Sequence, residues 1–154
     1  MRLPPLITSL ALFATSPAWA ACPIELAVYG EREQVAEIDF RPTMGSATTT
    51  NSFKMLLGKD VVLDGMVLWS SDAARPHGTL MHQCPEGDVT GEELAACTVW
   101  EGVIYTTDIA GAVDLLPNEH KDAPGTLIFP DLAGQLSRSA IKDKLPKLPW
   151  DVFA

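Results

Sequence analysis

Three cysteines, three histidines and a dense set of carboxylates are the residues with which this chain could do chemistry, and their spacing narrows what that chemistry is. Cys84 and Cys97 enclose twelve residues. Closing a loop of that length in an oxidising compartment stabilises a fold by roughly 3 kcal/mol on the chain-entropy description. Three cysteines allow three single bridges, and the short separation favours Cys84–Cys97, leaving Cys22 as a free thiol or a link to another chain. A thiolate–imidazole metal site would have to use Cys84 with His77 and His82, and Met81 beside them. There is no CxxC, His82 and Cys84 are two residues apart on one strand face, His77 lies beyond a turn, and no fourth ligand is at hand. Glu86, Asp88, Glu92 and Glu93 crowd one segment as calcium ligands do, but the alternating D-x-[DN]-x-[DN]-G pattern that wraps oxygens around the ion is missing.

Catalytic arrangements are no better supported. The serines at 46, 52, 70, 71, 137 and 139 lack a G-x-S-x-G elbow, and nothing in the spacing ties His77 or His120 to Ser70 or Ser71 as a base. Asp64 and Glu101 occupy equivalent places in two similar strands and would suit a glycosidase-like pair only if they met across a cleft. No phosphate-binding glycine loop is present. The sequence therefore assigns no catalytic residue, no cofactor and no metal.

Charge says more. The chain has 20 acidic against 11 basic residues, a net charge of −9, which argues against nucleic acid and against anionic membrane surfaces as partners. Between Arg75 and Lys121 there is no Lys or Arg, whereas Glu86, Asp88, Glu92, Glu93, Glu101, Asp108, Asp114 and Glu119 all fall there. Arg138, Lys142, Lys144 and Lys147 gather near the other end. One explanation is a solvated acidic surface that keeps an exported protein in solution. The sharper expectation is a docking face for a basic protein or envelope component. Glu86, Asp88, Glu92, Glu93, Trp100 and Glu101 are its candidate residues, with Trp69, Trp100 or Tyr105 as the apolar anchor.

The elements that must position these residues follow a period of two. Short runs rich in β-branched and aromatic residues at 24–29, 34–41, 52–57, 61–70, 79–83, 98–107, 112–115 and 126–129 read as strands, most of them bounded by Gly, Pro, Asn or Asp. Ala36-Glu37-Ile38-Asp39-Phe40 is the cleanest alternation, as on a half-solvated antiparallel sheet. Residues 62–68 and 99–105 echo one another, each read as a strand with a glycine bulge after an acid, Gly65 after Asp64 and Gly102 after Glu101. Thr90-Gly91-Glu92-Glu93 is a capping box and opens a short helix to about residue 96. A second helix starts near Pro130 or Asp131, with Leu132, Leu136 and Ile141 on one face. From about residue 143 the Leu-Pro-Lys-Leu-Pro-Trp run forces an extended tail, docked through Leu148, Trp150 and Phe153.

The start of the chain has the layout of an export signal over residues 1–20: Arg2, an apolar run at 6–14, and Ala18-Trp19-Ala20 as a small-x-small cleavage site. The run is about nine residues where a membrane span needs about twenty. Trp19, three before Cys22, speaks against acylation of that cysteine. Removal of the signal leaves residues 21–154 as one exported domain, periplasmic in a Gram-negative cell and soluble, with a net charge of −10 because Arg2 is the only charge lost. The expected fold is α+β, mainly β: an antiparallel sheet, sandwich or small open barrel with two short helices and one disulfide. The expected function is a non-catalytic binding or interaction module, with a small cell-envelope hydrolase and a metal-handling periplasmic protein as alternatives. The profile is shared, as a class, by bacterial periplasmic inhibitors of lysozyme, a likeness that assigns no residue here.

Overall fold

A computed structural model of the chain describes residues 22–45, 47–69, 75–147 and 151–154. Residues 1–20, read from the sequence as an export signal, and Ser46, Ser70, Ser71, Leu148 and Trp150 lie outside the described residues. The protein is mainly β, with two antiparallel sheets, two short α-helices and a Cys84–Cys97 disulfide, and the sheets do not close into a barrel.

Six strands form the larger sheet in chain order: β1 (Val28–Gly30), β2 (Ala36–Arg41), β3 (Thr49–Leu57), β4 (Val61–Leu68), β5 (His77–Met81) and β6 (Thr98–Gly102). Alternation builds it. In β2 the side chains of Ala36, Ile38 and Phe40 go inward, while Glu37 and Arg41 are exposed. The smaller sheet uses β7 (Tyr105–Thr107), β8 (Val113–Leu115), β9 (Thr126–Ile128) and β10 (Val152–Phe153), ordered β10-β9-β7-β8. The two are sewn together where Gly30 and Ala154 exchange backbone hydrogen bonds of 3.0 and 3.1 Å and Glu31 bridges Phe153. Between them runs a chain of rings. Tyr29 meets Phe40, Phe40 meets Phe53, Phe53 meets Phe129, and Phe129 touches both Trp100 and Phe153, with centroids 5.1 to 6.0 Å apart. This aromatic path is the core's spine.

Several expectations are corrected. Residues 24–29 are not one strand: Pro23 precedes a 3-10 turn at Ile24–Leu26, and only then does β1 begin. The run 98–107 is two strands in different sheets, broken at Val103–Ile104. Neither Gly65 nor Gly102 is a bulge. Gly65 pairs in register with Phe53 and Leu80, and Gly102 with Gly78; the bulges are at Thr49/Asn51 and Leu80/Met81. Both glycines serve an aromatic ring instead, because a Cβ on Gly65 would overlap the Phe53 ring and one on Gly102 would crowd the Trp100 indole.

The helices are α1 (Gly91–Cys97) and α2 (Leu132–Arg138). The capping box at the start of α1 is formed: Thr90 Oγ1 accepts from the Glu93 amide at 3.3 Å, and the Glu93 carboxylate accepts from the Thr90 amide at 2.9 Å. In α2, Leu132 and Leu136 are buried as expected, and so is Ile141 just beyond. Its N-terminus is capped by the tail, since the Asp151 carboxylate accepts from the Ala133 amide at 3.0 Å. The tail opens on a 3-10 turn at Lys142–Lys144 and ends in β10, where Phe153 is fully buried.

Candidate functional site

The β5–β6 connection leaves the sheet at Met81 and returns at Thr98, with the ladder prolonged one step by the His82 amide donating to the Cys97 carbonyl at 2.9 Å. The disulfide then ties Cys84 to Cys97, their Cα atoms 5.3 Å apart. Everything between is a projection. None of the seven residues of α1 is buried, and Leu94 is 44% exposed.

The candidate acids divide by what they already hold. The Glu93 carboxylate accepts from both the amide and the hydroxyl of Thr90, and the amide bond holds its pKa below the usual value. Glu119 accepts from the Thr43 amide and hydroxyl, Asp108 from the amides of Ala110 and Ala112, and Asp114 from that of Leu115. Glu86, Asp88, Glu92 and Glu101 are exposed, and among the described residues their carboxylates carry no hydrogen bond or ion pair. The first three sit on the disulfide loop. Glu101 lies on β6, its backbone held by Gln135, whose side chain both accepts from the Glu101 amide and donates to its carbonyl at 3.0 Å. An open groove of about 360 Å³ runs between the last turn of α1, this edge and α2.

Trp100 is not on this surface. It is 1% exposed, its indole N–H donates to the Pro130 carbonyl at 3.1 Å, and its ring packs on Phe129. Trp100 and Glu101 are neighbours on a strand, and a period of two forbids both from facing one partner. The large exposed hydrophobic residue of the acidic loop is Leu94, a position that the charge pattern does not single out. Trp69 is 43% exposed at the end of β4, and the Tyr105 hydroxyl accepts from Arg75 at 2.7 Å.

The remaining constellations are dispersed. Asp64 and Glu101 are separated by β5, and Asp64 is paired with Lys54. Ser137 and Ser139 donate their hydroxyls to the Gly134 and Leu136 carbonyls. Among the described residues no three His, Cys, Asp or Glu side chains are grouped to hold a metal ion. His120 does have a carboxylate partner: Glu25, with a side chain 10% exposed, receives the His120 amide and faces its Nδ1, both at 2.9 Å. The amide bond, above all, lowers the Glu25 pKa. Together with Asn51, which donates to the Pro117 carbonyl, and Thr43, this pair pins the loop from Leu116 to Ala123 to the first strands. That clamp ties loop to strands, and the His120 ring is 84% exposed, with no serine or thiol bonded to it among the described residues.

Comparison with protein-family models, with curated proteins and with solved structures gives no match for this chain.

Proposed function

We propose that this protein is an exported, non-catalytic binding module that docks a basic protein or a basic envelope component through its disulfide-tied acidic loop. One observation carries the reading: Glu86, Asp88 and Glu92, unpartnered within the described residues, ride on a segment whose helix buries nothing. A core-building helix hides an apolar stripe. This one buries no residue, and the exposed Leu94 shares its segment with the acids. Negative charges steer association and set register, and an exposed leucine on the same segment supplies an apolar contact. Export is the compartment in which such a disulfide persists.

The test is capture from an envelope extract on the immobilised chain, at low and at high salt, beside a Glu86→Lys/Asp88→Lys/Glu92→Lys variant. A protein retained at low salt, released by high salt and lost by the variant supports the reading. Retention that ignores both salt and charge reversal, or no retention at all, contradicts it.

A further inference from the structure

We infer that the Cys84–Cys97 bridge is a redox switch for the acidic loop: reduction by a dithiol unfolds α1 and the residues around it while both sheets keep their structure. Its consequence for binding rests on the docking reading, because the released segment carries Glu86, Asp88 and Glu92; its structural part stands without that reading.

The segment between the two sulfurs has little of its own to hold it. Helices shorter than about 12–15 residues are marginal in water unless an apolar face is packed, and α1 has seven residues, none buried. Its hydrogen bonds are local: the Thr90–Glu93 box, the Leu94 amide to the Thr90 carbonyl at 3.0 Å, and the Thr98 amide and hydroxyl to the Leu94 carbonyl. A cap fixes where a helix starts and does not overcome the cost of nucleating it. The base of the loop needs no such help. Met81 pairs with Thr98, Leu80 pairs with the buried Trp100, and His82 bonds Cys97, so the stem belongs to the sheet. Beyond that stem the bridge is the covalent restraint, and among the described residues only those local hydrogen bonds assist it.

Neither cysteine is buried, both being partly exposed residues, so a small dithiol can approach the bridge. A thiolate of the dithiol attacks one sulfur and forms a mixed disulfide, releasing the other cysteine. The second thiol then closes the reagent's own disulfide and frees the first cysteine. The protein gains two electrons and two protons, and the dithiol loses the same.

Hydrogen exchange on the full chain, before and after dithiothreitol, reads the switch directly. The Leu94 and Thr98 amides should exchange roughly a hundredfold faster after reduction, the factor expected when a loop of this length is no longer closed, while the Met55 and Leu127 amides keep their protection. A Cys84→Ser/Cys97→Ser variant should show the same pattern without reductant. Undiminished protection at Leu94 would mean that α1 supports itself, and loss at Leu127 would mean that the bridge supports the whole fold; either overturns the inference. No partner takes part in this measurement, so its failure leaves the docking reading intact, and failed capture leaves the switch intact.

Discussion

Trp100 and Glu92 separate stability from docking at single positions. Trp100→Ala empties part of the core and should cost about 3–5 kcal/mol in a urea melt, with no loss of captured partner from the chains that still fold. Glu92→Lys, on an exposed turn, should leave the melt within about 0.5 kcal/mol and weaken capture. Glu25 gives a pH signature. Its folded pKa lies below 4.5 because the His120 amide donates to its carboxylate, so near that value the unfolded chain binds more protons than the folded one. The stability from this bond is present above about 4.5 and is lost as pH falls through the folded value. Melts from neutral pH downward should show a shallower acid limb in Glu25→Gln; an identical limb would count against the assignment. Tyr29 contributes on the opposite limb: burial pushes its hydroxyl up to about 12 from 10, so its contribution to stability falls as pH rises through that range. Residues of this kind were not legible in the sequence. A buried Glu25 meeting His120 joins positions far apart in the chain, and no local pattern announces it. The Thr90–Glu93 box was legible, since its chemistry is a matter of three-residue spacing.

At the scale of elements, period-two alternation was enough for β2 and β4, where one face packs and the other is solvated. It failed where the ladder changed partners. Residues 98–107 read as one strand because propensity carries no record of the sheet to which each half is bonded, and the break at Val103–Ile104 is decided by pairing with β5 on one side and β9 on the other. Gly65 is constrained by a close approach and not by a bulge. Its missing Cβ makes room for the Phe53 ring. Gly65→Ala should therefore cost about 1–3 kcal/mol through overpacking, whereas Gly30→Ala, with nothing within 4 Å of the added carbon, should stay within about 0.5 kcal/mol. Equal effects in chemical denaturation would refute the packing role.

For the molecule as a whole, β10 joins what the chain order keeps apart. It pairs with β9, bridges Glu31 through Phe153 while the following Ala154 bonds Gly30 of the larger sheet, and buries Phe153 against Phe129. Phe153→Ala should lower stability by about 3–5 kcal/mol in a single transition, because both sheets lose the same seam. With that frame settled, the concentration of charge between Arg75 and Lys121 divides into acids that hold backbone and acids that, among the described residues, hold nothing. The latter can meet a partner with no bond of their own to give up, and three of the four stand on the loop that the disulfide projects. The most direct measurement is zero-length carbodiimide crosslinking in an envelope extract, which joins a carboxylate to a lysine amine only where the two touch, followed by mapping of the adducts. Glu86, Asp88 and Glu92 should crosslink to lysines of a basic partner. Adducts confined to other carboxylates, such as Asp108 and Asp114, would contradict it.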